Sequence, residues 1–107
     1  MLVVALSAAG QQQLAPPPPL GRSVHGVVMD AHNRPLASAI VDLQDMKTKA
    51  IRSVVTAANG QFVFHQLKPN VSYEVFAVWR EHRSPVRTDS QYWVAMDLRL
   101  DLVIPVG

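Results

Sequence analysis

From residue 22 onward, apolar and polar residues alternate along most of the chain, and no stretch sustains the three-and-four apolar spacing of a helix. A period of two puts successive side chains on opposite faces of a strand, so each alternating run predicts one strand with a buried and a wet side. Val24, Gly26 and Val28 alternate with His25, Val27 and Met29, which predicts a first strand over Arg22 to Asp30. Gly26 within it suits a bulge or a close backbone approach. Asp30-Ala31-His32-Asn33-Arg34-Pro35 is turn chemistry. Ala39, Val41 and Leu43 then share a face of a second strand, with Ser38, Ile40 and Asp42 opposite. The polar run Gln44 to Lys49 predicts a solvated connection, and the β-branched run Ile51 to Thr56 a third strand.

The centre of the pattern is Thr56 to Val75. Asn59-Gly60 tolerates the positive φ of a tight primed turn and predicts a hairpin. Phe62 and Phe64 follow on one face of a fourth strand, Lys68-Pro69-Asn70 breaks it, and Tyr73, Val75 and Ala77 start a fifth. Trp79 to Ser90 is charged and carries Pro85, so it reads as the longest irregular stretch, with a short edge strand around Val86. Leu98, Leu100, Leu102 and Ile104 alternate with Arg99, Asp101 and Val103, the signature of a last strand with one wet side. Short strands separated by turns predict an all-β fold, an antiparallel β-sandwich of about seven strands.

The first 21 residues differ. Met1 to Gly10 is apolar and then rich in small residues, resembling the end of a secretory signal with Ser7 and Ala9 before a cleavage point, although the usual basic start is missing. It is too short to span a bilayer. Pro16-Pro17-Pro18-Pro19 favours a stiff polyproline spacer. Residues 1–21 are therefore expected to be a signal segment and a disordered or extended Pro-rich linker, and residues 22–107 the domain. The expected location is outside the cytoplasm (periplasm, outer-membrane surface or medium), with no membrane span in the mature chain.

Composition narrows the chemistry. The chain has 107 residues, 49% of them hydrophobic and 17% charged, which argues against intrinsic disorder. Its ten basic residues are dispersed and its net charge is +2, so no nucleic-acid partner is expected. Cysteine is absent, which removes disulfides, thiolate metal sites and a thiol nucleophile. His25, His32, His65 and His82 lack metal-site spacing, and no serine sits in a nucleophile elbow, so neither a metal, a cofactor nor a catalytic residue is expected. Trp79, Tyr92 and Trp93 flank Arg80-Glu81-His82-Arg83, and flat aromatics beside polar donors suit stacking on sugar rings. Trp79 continues the Tyr73-Val75-Ala77 face and so reads as core or rim, while one of the neighbours Tyr92 and Trp93 is expected to be exposed. Arg80, Arg83 and Arg87 form a candidate basic rim, whose plainer reading is a solvated loop.

Three motifs in order carry a resemblance: Val24-x-Gly26-x-Val28-x-Asp30, then Arg34-Pro35-Leu36-x-x-Ala39-x-Val41-x-Leu43, then Thr56-x-x-Asn59-Gly60-x-Phe62-x-Phe64-x-x-Leu67-x-Pro69-x-x-x-Tyr73-x-Val75. Together they resemble the carboxypeptidase regulatory-like domain. The resemblance implies a Greek-key sandwich related to transthyretin-like and starch-binding-like folds, in exported bacterial modules without catalysis of their own. Ala57 replaces the usual Asp, which removes a turn carboxylate. Asn70 replaces the usual Gly and is expected to tolerate the same left-handed conformation. A related fold hosts hydroxyisourate hydrolase, but Val27, Gln61 and the terminal Ile104-Pro105-Val106-Gly107 stand where its His, Arg and Tyr-Arg-Gly-Ser are expected. The expected role is a non-catalytic structural or protein-interaction unit of the bacterial cell envelope, partnered by a protein or envelope component. A carbohydrate-binding module ranks second and a small hydrolase last.

Overall fold

A computed structural model describes residues 21–92 and 96–107, so the expected signal and linker up to residue 20, and Trp93, lie outside the described residues. Among the described residues nine strands form: β1 (Arg22–Met29), β2 (Ile40–Asp45), β3 (Ile51–Val55), β4 (Gln61–Leu67), β5 (Tyr73–Trp79), β6 (His82–Arg83), β7 (Arg87–Asp89), β8 (Asp97–Arg99) and β9 (Leu102–Val103). No helix occurs among the described residues. Sheet one has the order β4-β1-β8, with β9 following β8 along the same side of β1. Sheet two has the order β3-β2-β5, with β6 and β7 sharing the far side of β5. The nine segments thus fill seven lanes, which matches the strand count expected from the pattern. Each alternating run turns one face inward. Val24, Val28, Phe62, Phe64, Leu100 and Leu102 from sheet one meet Val41, Leu43, Tyr73, Val75 and Ala77 from sheet two in one buried core. Phe62 and Phe64 pack edge to face, with ring centroids 6.1 Å apart.

Three expectations need correction. Asn59-Gly60 does not close a hairpin, because β3 pairs with β2 while β4 pairs with β1. The turn carries the chain from one sheet to the other; Gly60 alone takes positive φ (79°), and a Cβ there would stand 2.7 Å from the Val28 carbonyl. The antiparallel-rich sandwich itself is as expected, and among the described strands only β8 and β9 run parallel to their neighbour, β1. Its last strand is interrupted at Leu100-Asp101, where the Asp101 carboxylate accepts the Val27 N–H (3.0 Å) in place of a main-chain partner. Asn70 is not left-handed; Gln66 takes positive φ (60°) at the end of β4 instead.

One polar contact in the interior joins distant parts of the chain. Arg22 and Asp89 are both fully buried, and Arg22 Nη1 donates to Asp89 Oδ1 at 2.9 Å. The same guanidinium donates to the carbonyls of Ser90 (2.9 Å), Lys68 (3.2 Å) and Val71. It therefore pins the start of β1 to the β4–β5 loop and to the end of β7.

Two turns are held by carboxylates. Asp30 Oδ1 accepts the N–H groups of His32 (2.8 Å) and Arg34 (3.0 Å), and Oδ2 accepts Arg34 Nε (3.1 Å). Asp45 Oδ1 accepts the N–H groups of Lys47 (2.8 Å) and Thr48 (2.9 Å) in the β2–β3 turn. These bonds hold both carboxyls below their ordinary value of 3.8, the Arg34 amide being the main cause for Asp30 and the Thr48 amide for Asp45. A lowered carboxyl contributes stability that is full above its unfolded value and is lost as the pH falls through its folded one. Thermal melts should therefore show the transition falling steeply below about pH 4, and Asp30→Asn should flatten that slope. An unchanged slope would show that these turns are not what acid disrupts.

Candidate functional site

Among the described residues the most exposed aliphatic surface lies at the margin of sheet two, where β3 has no neighbour beyond it. Antiparallel pairing aligns Val55, Ile40 and Val78 in one row across β3, β2 and β5, Ser53, Asp42 and Phe76 in the next, and Ile51, Gln44 and Glu74 in the third. All point away from the core. Val55 is 65% exposed, Ile51 59% and Ile40 45%. Edge strands ordinarily carry lysine, proline or a bulge that blocks further pairing. β3 has neither lysine nor proline, and its register with β2 runs unbroken. Its one charge, Arg52, lies over the Phe64 ring at 5.7 Å and covers the seam between the sheets.

A second feature is a cleft of about 380 Å³ on the outer face of sheet one, lined by His25, Val27, Ala57, Gln61, Val63 and Arg99. Parallel pairing of β1 with β8 sets His25 beside Arg99 and Ser23 beside Asp97. Asp97 Oδ1 accepts Ser23 Oγ (2.8 Å) and lies 3.0 Å from His25 Nδ1. Those contacts, Ser23's first, hold its carboxyl below the ordinary value. Arg99 Nε donates to both carboxylate oxygens of Asp101 at 3.1 and 3.2 Å. The Ser23 hydroxyl is turned to the carboxylate rather than to the imidazole, so the three groups do not form a nucleophile relay. Among the described residues no group of His, Asp and Glu side chains is placed to hold a metal ion. Nothing in the linear sequence marks this cleft, because His25 and Asp97 are 72 positions apart.

The residues singled out by sequence are not gathered into one surface. Trp79 is half-buried against the core, with the Arg80 guanidinium 4.3 Å from its ring centre. Arg83 stacks on Phe76 at 4.2 Å, and Arg87 Nη1 donates to the Asp101 carbonyl at 2.9 Å. Tyr92 is 83% exposed and follows Asp89, which pairs with Tyr73 at the other end of β5 from Trp79. Six strand steps of about 3.3 Å put those two ends of β5 roughly 20 Å apart, too far for Trp79 and Tyr92 to hold one sugar ring. His25 is partly exposed and His65 exposed, on the outer face of sheet one.

The carboxypeptidase regulatory-like domain matches the chain over residues 23–102. Solved structures with the same fold include catechol 1,2-dioxygenase from Acinetobacter sp. ADP1, at 15% identity and TM-score 0.57, covering 82% of this chain and 54% of that one. The dioxygenase domain of a dioxygenase carbohydrate-binding protein fusion from Streptomyces sp. SirexAA-E is 20% identical at TM-score 0.54, covering 84% and 82%. The shaft pilin SpaA from Lactobacillus rhamnosus GG is 12% identical at TM-score 0.58, covering 81% and 47%. The chain thus spans about half of the first and third of these structures. At such identities the likeness is one of fold. No curated protein matches by sequence.

Proposed function

Because the chain belongs to the carboxypeptidase regulatory-like domain family, we propose that it is a non-catalytic module, exported to serve as a structural or protein-interaction unit of the bacterial cell envelope. The observation that carries this reading is the exposed aliphatic margin of sheet two, Ile40, Ile51 and Val55 beside an unblocked edge strand. Such a surface is stabilised by covering it with another polypeptide. The shaft pilin built on the same fold supports a structural use of such a sandwich. No helix among the described residues is long and apolar enough to cross a membrane. Fractionation with N-terminal sequencing of the mature protein tests export. A product starting near Gly10 in the envelope or the medium is the expected result, and an intact Met1 in the cytosol would overturn it.

A second reading, binding to carbohydrate, draws on the exposure of Tyr92. It expects glycan-array binding that Tyr92→Ala abolishes. An array with no signal above background removes it.

A further inference from the structure

We infer that the β3 edge is a self-association site, taking the β3 strand of a second copy of this chain antiparallel about a two-fold axis through Ser53. The inference deepens the reading above by naming one partner of the module. Its first support is the direction of the backbone groups. Thr56 N donates to Ala39 O, and Asp45 N donates to Ala50 O, each at 2.9 Å. In an antiparallel ladder the strand's groups face alternate sides residue by residue. Ala50, Arg52, Val54 and Thr56 therefore bond to β2, while Ile51, Ser53 and Val55 turn their N–H and C=O groups to the open edge.

The second support is self-complementarity. Two-fold pairing about Ser53 sets Ser53 opposite Ser53 of the second copy, and Ile51 opposite the second copy's Val55. These are the outward-facing residues, so each pair exchanges two main-chain hydrogen bonds. The aliphatic row Val78-Ile40-Val55 is then continued by Ile51 of the second copy. A shift of one residue would put Ile51 and Val55 on the face opposite their partners' aliphatics, which excludes it.

Charge agrees with the pairing. Arg52 falls opposite Val54 rather than opposite another cation, and its guanidinium is already over its own Phe64. The two Asp42 carboxylates, each bonded to its own Ser53 hydroxyl, would lie three strand spacings, about 14 Å, apart, beyond the Debye length at physiological salt. Each joined row would run through Arg83, Val78, Ile40 and Val55 of one copy and then Ile51, Gln44, Glu74 and Thr88 of the other, with four aliphatic residues adjacent at its middle. A five-residue edge is short, so the contact belongs to the small, weak class of interfaces.

Sedimentation velocity of the full chain from about 10 to 500 µM spans that class. The expected result is a dimer fraction that rises from minor to major across the range. Ser53→Pro removes the outward N–H together with the Ser53 hydroxyl bond to Asp42 and leaves every main-chain bond to β2 in place, and Val55→Lys puts a charge at the new contact. Both variants should keep the wild-type circular dichroism spectrum and stay monomeric throughout. A spin label on Ser53→Cys, the chain's sole cysteine, should show strong spin–spin broadening in the dimer, and one on Thr88→Cys at the other margin should show none. A monomer at the highest concentration, dimers that persist in both variants, or equal broadening at both labels would overturn the inference. None of these outcomes depends on where the protein resides, so they separate this inference from the export reading.

Discussion

Arg22→Met is expected to lower the stability of the domain by about 3–5 kcal/mol, the usual cost of stranding one partner of a buried ion pair. For a domain of this size that is a fall of roughly 15–30 °C in melting temperature. The loss has two sources. Asp89 would keep a buried charge with no cation beside it, and the carbonyls of Lys68, Val71 and Ser90 would lose their donor. Burial already raises the Asp89 carboxyl above 3.8, outweighing the attraction of Arg22. A raised carboxyl favours the fold below its unfolded value, and that contribution is lost as the pH climbs through its folded one. Removing Arg22 removes the opposing attraction. The variant's deficit should therefore be widest at neutral pH and narrow on acidification. Arg22→Met with Asp89→Leu, which leaves no unpaired charge, should recover much of the loss. Urea melts at several pH values check this. A loss under about 1 kcal/mol, or a double variant no better than the single one, would show that the contact behaves as a surface pair.

Gly26→Ala is expected to cost about 3 kcal/mol, at the upper end for overpacking. A Cβ on Gly26 would stand 2.1 Å from the Leu100 carbonyl oxygen and 3.1 Å from the Phe62 ring. The obstruction is backbone, so no rotamer change relieves it. Leu100 cannot easily retreat, because its N–H is bonded to the His25 carbonyl at 2.8 Å and its neighbour Asp101 holds the Val27 N–H. The strain would be released by parting β1 from the segment between β8 and β9. Faster hydrogen exchange at the Val27 and Leu100 amides should accompany the lower denaturation midpoint. A midpoint equal to wild type would mean that the close approach is not tight.

The strands themselves were legible in the residues. Val24 and Val28, Phe62 and Phe64, Tyr73 and Val75, and Leu100 and Leu102 all turn inward as their period of two requires. That period is a local property, set by the geometry of an extended backbone and the exclusion of apolar side chains from water. Gly26 also announced a close approach, though not what approaches. Partnership between strands was not legible. Asn59-Gly60 has the chemistry of a hairpin turn, yet sheet pairing sends β3 to β2 and β4 to β1. A turn constrains only its own few residues, whereas the partner of each strand is chosen by how both sheets bury their apolar faces together. The same reason hid the Arg22–Asp89 contact, whose members are 67 positions apart, and the His25 and Asp97 cleft. Trp79 and Tyr92 flank one charged stretch in the sequence, yet the pairing of β7 with β5 sets them toward opposite ends of β5. Sequence determined which backbone segments extend and which side chains seek the interior. Tertiary structure alone decided which edge stayed open and which distant charges met, because both follow from long-range packing that no local pattern encodes.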